Sequence, residues 1–125
     1  MDNFNILQQE HIENTELQSK MDFYKDEIRI LKNRLTDLSK ELEKEKDLKE
    51  LEQLQNQLDI QENNANNISH AIRNNEKGID KACVKIKDEK LILRKEQHQK
   101  ELDLVATFEK NLKEVRKAVK NLSTR

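Results

Sequence analysis

An all-α fold, an elongated antiparallel three-helix bundle or coiled coil forming one domain over residues 1–125, is predicted by three features of this chain. Charged residues make up 39% of it and hydrophobic residues only 34%, the balance of a long helix or coiled coil rather than of an ordinary globular core. One glycine and no proline leave too few turn residues for an all-β domain, and nothing from which to build glycine-rich nucleotide loops. Apolar residues recur at alternating spacings of three and four, the repeat of a helical seam. The expected helices lie near 5–44, 48–77 and 81–122.

The first helix rests on Leu17, Met21, Tyr24, Ile28, Leu31, Leu35, Leu38 and Leu42, an a/d seam with Lys25, Asp26, Arg29 and Lys32 on the other faces. The second rests on Leu51, Leu54, Leu58, Ala65, Ile68, Ile72, Asn75, Ile79, Ala82 and Ile86. The two seams are out of phase. Leu42 and Leu51 are nine residues apart, two and a half turns, so one straight helix would point them in opposite directions. A corner within Glu43-Lys44-Glu45-Lys46-Asp47 resolves this, with Asp47 as N-cap and Glu50 three residues on.

The competing corner is the cluster Asn63, Asn64, Asn66 and Asn67, poor helix formers that would divide the chain into a two-helix hairpin. The seam passes through that cluster in register, which argues for continuous helix. Lys77-Gly78-Ile79 has the form of a helix end, with glycine at C′, an apolar residue after it and Asp80 placed to cap the next helix. The alternative is Gly78 inside one long helix, at a cost of about 1 kcal/mol relative to alanine. The third helix rests on Val84, Leu91, His98, Val105, Leu112 and Val119, with Phe108, Val115 and Leu122 at the matching d positions. A core this narrow predicts self-association, or docking of a helical protein partner. The seam residues expected to carry it include Leu31, Leu35, Leu38, Leu58, Ile72, Phe108, Leu112 and Val115.

Charge is distributed by position. Residues 1–62 are net −7 and residues 81–125 net +6, so a total of −1 conceals an acidic first half and a basic last third. Opposed charge of this kind sets the pairing and orientation of neighbouring helices, within or between chains. The sharper alternative is an exposed basic surface on the last helix, where Lys113, Arg116, Lys117 and Lys120 would meet an anionic partner, nucleic acid or acidic membrane. Neither is the favoured partner. There are no aromatic residues on that helix beyond Phe108 for base stacking, cations suit a helix C-terminus in any case, and its apolar stripe is accounted for by a core.

Other chemistry finds little support in the residue pattern. His11, His70 and His98 follow Gln8, Asn67 and Lys95 at the position where a di-iron-type bundle places glutamate, so no metal or other cofactor is expected. Cys83 lies between Lys81 and Lys85 with no adjoining histidine, and reads as a small apolar residue beside a seam. Carboxylates are abundant but no spacing singles out a catalytic pair, and no small-molecule substrate or enzymatic activity is expected. A single cysteine, no basic-then-apolar leader at the start and no long apolar run point to a reducing, cytoplasmic setting.

Met21-Asp22-Phe23-Tyr24-Lys25-Asp26-Glu27-Ile28-Arg29-Ile30-Leu31 is a distinctive stretch, as are Gln55 to Leu58, Gln61 with Asn63 and Asn64, His70 with Ile72, and Thr107-Phe108-Glu109-Lys110 followed by Leu112, Glu114, Val115 and Arg116. Together these resemble a family of small uncharacterised bacterial helical proteins of coiled-coil character, over about residues 20–122. Members of that family tend to carry Ser, Thr and Asn where this chain has Lys40 to Lys46, so the resemblance implies a corner there. It implies no activity, and in the middle of the chain, where those proteins are histidine-rich, only His70 is present, which weakens any metal-related idea.

Overall fold

The structure is a computed structural model that describes residues 3–82 and 88–124, with side chains described for 5–78 and 91–124. Three helices account for nearly all of it: α1 (Asn3–Glu41), α2 (Glu45–Ala82) and α3 (Asp88–Ser123). At 1.5 Å per residue each is a rod of roughly 54–58 Å. Contacts between chain neighbours fix their directions. Lys32 and Asn14 of α1 reach Glu62 and Glu76 of α2, so residue numbers run oppositely and these two helices are antiparallel. Glu10 and Glu27 of α1 meet Arg94 and Arg116 of α3, so these two are parallel. This is the three-helix bundle expected from the seams.

The first corner occupies Leu42, Glu43 and Lys44. The Leu42 amide still donates to the Leu38 carbonyl, closing α1, and the Leu48 amide donates to the Lys44 carbonyl, opening α2. Lys44 is therefore the N-cap, three residues before the expected Asp47. Asp47 falls inside the first turn with Glu45, where two carboxylates offset the partial positive charge of the helix start. The asparagine cluster is helix throughout, because Ala65, Ile68 and Ile72 keep it anchored to the core.

The second corner differs from the expectation. α2 continues past Gly78 to Ala82, so residues 81 and 82 belong to α2 rather than to α3, and Gly78 has no left-handed backbone. A glycine helix end needs that conformation, and here regular helix supplies the backbone bonds instead. Cys83, Val84 and Ile86 lie outside the described residues, as do the side chains of Ile79, Asp80 and Ala82.

The three seams meet along the bundle axis. Leu17, Met21, Ile28, Leu35 and Leu38 pack with Leu51, Leu54, Leu58, Ala65, Ile68 and Ile72, and with Val105, Phe108, Leu112, Val115, Val119 and Leu122. Tyr24 and Leu31 are partly buried against this cluster. The Tyr24 and Phe108 rings lie 5.6 Å apart, centre to centre, and tilted, and the Tyr24 hydroxyl donates to Glu109. Burial, followed by that carboxylate, pushes the Tyr24 phenol up to about 12.

Candidate functional site

Each seam is interrupted by polar residues, and the fold brings the interruptions together. In α1 the three-four repeat runs Leu7, Glu10, Asn14, Leu17; in α2, Ile72, Asn75, Ile79; in α3, Leu91, Arg94, His98, Glu101, Val105. The polar members sit at one level near the start of α1 and α3 and the end of α2. Arg94 donates to Glu10 at 3.1 Å and to the Asn75 carbonyl at 2.9 Å. Both charged side chains are largely withdrawn from water, Arg94 at 14% and Glu10 at 7% exposure.

The end of the Arg94 side chain lies against Gly78: a methyl group there would lie 2.7 Å from the guanidinium, so the glycine leaves a notch in α2 that this end fills. His98 faces two carboxylates, Glu13 at 2.5 Å from Nε2 and Glu101 at 3.3 Å from Nδ1. Asn75 also donates to Glu101, and Asn14 to Glu76 at 3.0 Å, while Glu76 in turn meets His11.

Burial pushes the Glu10 carboxyl above its usual range, with Arg94 and then His98 pulling partly against it. Glu101 is pushed up likewise, with Asn75 and His98 opposing. Beside this cluster a cavity of about 610 Å³ opens between α1 and α3, lined by Ile6, Glu10, Glu13, Lys95, His98 and Leu102 among others. Among the described residues no set of three or more His, Cys, Asp or Glu is arranged to hold a metal ion. Glu10, Arg94, Asn75, His98 and Glu101 bond to one another across all three helices, which ties the helices at one register, while Asn14 Oδ1 and Arg94 Nε have no hydrogen-bond partner among the described residues.

The expected interaction seam is placed differently. Leu35, Leu38, Leu58, Ile72, Phe108, Leu112 and Val115 are buried, and Leu31 packs against them, all inside the single chain. They hold the bundle together, with Leu31 only partly buried. Of the expected anion-binding residues, Arg116 is taken, its guanidinium donating twice to Glu27 at 2.6 Å. Lys113, Lys117 and Lys120 are exposed on the outer face of α3 and form no salt bridge to a described residue.

Large apolar residues also remain outside. Ile12, Phe23 and Ile30 of α1 stand 11 and 7 residues apart, near-whole numbers of turns, and make a single exposed row, with Phe23 at 65% and Ile30 at 64%. Their spacing departs from the core seam, so the apolar three-four repeat does not include them. Asn75 and His98 are legible as seam members, whereas Glu10, Asn14, Arg94 and Glu101 occupy seam positions without the apolar side chains that mark a seam. The signal that finds them is the unbroken three-four count itself.

No protein-family model matches the chain, nor does any curated protein or solved structure. No helix among the described residues is long and apolar enough to cross a membrane.

Proposed function

We propose that the protein is a non-enzymatic structural module that binds helical protein segments, a second copy or another protein, through the outer faces of its bundle. The exposed row Ile12, Phe23 and Ile30 carries this reading. Apolar side chains repeated at whole turns along one face are the form in which one helix reads another, and an exposed aromatic among them supplies the largest contact area. The buried carboxylates support the non-enzymatic part, since Glu10 and Glu101 are bound by Arg94, Asn75 and His98 rather than held ready for a substrate. A reducing, cytoplasmic setting belongs to the same reading, supported by the single cysteine.

The test is a tagged purification of the full chain from its native host. Phe23→Glu combined with Ile30→Glu is expected to keep the wild-type circular dichroism melt and to lose the co-purifying protein. Retention of the same partners at the same yield refutes a role for this row.

A second reading has one observation in its favour. Lys113, Lys117 and Lys120 repeat along one exposed face of α3 without a salt-bridge partner among the described residues, which suits an anionic surface. Binding to acidic vesicles or duplex DNA at low salt, lost when all three are changed to Gln, is its expected signature. A wild-type protein that binds neither at low salt removes it.

A further inference from the structure

In a chain with 39% charged residues, one long face of α2 carries no charge at all. Between residues 53 and 78 the charged side chains are Asp59, Glu62, Arg73, Glu76 and Lys77. Asp59 and Glu62 face α1 through Lys32, and Glu76 faces it through Asn14. Arg73 stands three turns from Glu62, and Lys77 five turns from Asp59, so both belong to the same side of the helix. The opposite side, bordering α3, is exposed and reads Asn56, Gln57, Ile60, Asn64, Asn67 and Asn74.

α3 extends this surface. Leu104 and Asn111 join Asn64 and Asn67 around a groove of about 310 Å³ floored by Ile68 and Phe108. Asn111 continues into a second groove of about 230 Å³, shared with Gln57, Ile60, Gln61, Val115 and one charged residue, Glu114 of α3. Ile60 and Leu104 stand out from the surface, each more than half exposed. Gln61 supplies the independent observation. It is only 7% exposed and lines the second groove, yet its Oε1 accepts no hydrogen bond among the described residues. A buried acceptor without a donor is unfavourable, so a donor delivered into that groove is favoured.

We infer that a second copy of this chain docks on this face, α2 against α2, about a two-fold axis. The inference rests on the interaction-module reading and goes beyond it, adding a second surface distinct from the Ile12, Phe23 and Ile30 row and naming the partner that covers it. A two-fold interface sets a patch against itself, so like charges across it repel, whereas side-chain amides, each both donor and acceptor, pair with their own kind. The amide face is self-complementary in this sense. The row of lysines on α3 is not. An axis passing near Asn64, with the two α2 helices antiparallel, sets Ile60 over Ile68 of the other copy and carries the Asn67 amide toward the Gln61 acceptor. The face extends about 30 Å along α2 and is two helices wide, roughly 600 Å² in plan, close to the ~800 Å² per partner of a standard interface.

The full chain, examined by light scattering and sedimentation across a concentration series, is expected to be a dimer. Ile60→Glu, at an exposed position, is expected to weaken the dimer at least tenfold and leave the circular dichroism melt unchanged. In a Cys83→Ser background, Asn64→Cys is expected to oxidise to a covalent dimer, since a residue on the axis meets its own copy. A wild-type chain that is monomeric throughout the series overturns the inference, as does an Ile60→Glu variant that dimerises like wild type or an Asn64→Cys variant that never cross-links. A monomer that still holds another protein through Phe23 and Ile30 overturns this inference alone and leaves the interaction-module reading standing.

Discussion

At Gly78 a missing methyl group decides a contact between two helices. Alanine in a helix interior is ordinarily about 1 kcal/mol better than glycine, yet here the added carbon would lie 2.7 Å from Arg94 Nη1, so the guanidinium that bonds the Asn75 carbonyl would have to shift. Gly78→Ala is therefore expected to gain well short of that amount in the wild type, and close to the full ~1 kcal/mol in an Arg94→Met background. Urea melts of the four proteins form the cycle, and an equal gain in both backgrounds shows that Arg94 does not use the notch. The partner of Arg94 behaves asymmetrically. Glu10→Ala leaves a buried cation unpaired and is expected to cost about 3 kcal/mol or more, whereas Glu10→Leu with Arg94→Met is expected to fold with near wild-type stability. A mild loss in Glu10→Ala contradicts the pairing. None of this was legible in the local sequence around residue 78. Lys-Gly-Ile has the form of a helix end, and only the side chain arriving from α3 gives the glycine its other use.

At the scale of the element, register outweighed propensity. Asparagines at 63, 64, 66 and 67 weaken α2 locally, but a helix anchored by Ala65, Ile68 and Ile72 buries apolar area that a corner there would expose. Phase likewise located the first corner, since Leu42 and Leu51 cannot face one core from a single straight helix. The capping residue was less legible. Lys44 takes the position that Asp, Asn or Ser would fill better, because two acids just downstream already offset the helix start. Lys44→Asp is accordingly expected to stabilise the protein by about 1 kcal/mol, read as a higher urea midpoint. No change, or a loss, would show that α2 does not start at Glu45.

At the scale of the whole molecule, a narrow core carries a charged layer at one end, and stability should report its protonation. Glu10 and Glu101 have carboxyls raised by burial, so their stabilising contribution is complete below the ordinary carboxylate range and is lost as pH rises through the raised values. Arg94, His98, Glu13 and Glu76 face these two groups from the packed helices and oppose or add to the effect. The urea midpoint of Glu101→Gln is thus expected to improve relative to wild type between pH 4.5 and pH 7, because only the wild type must bury the ionised form. A difference that stays flat or shrinks over that range rules this out. The sequence by itself determined the class of fold, the three helices, the first corner and the residues of the core, because a period of 3.5 is a local property that can be counted. Only the tertiary structure decided that the acidic and basic ends meet through Glu10 with Arg94 and Glu27 with Arg116, that Gly78 is a notch, and that the three apolar seams pack against one another. Those outcomes depend on which residues lie level on different helices, and that alignment is fixed by packing across the bundle rather than by spacing along it.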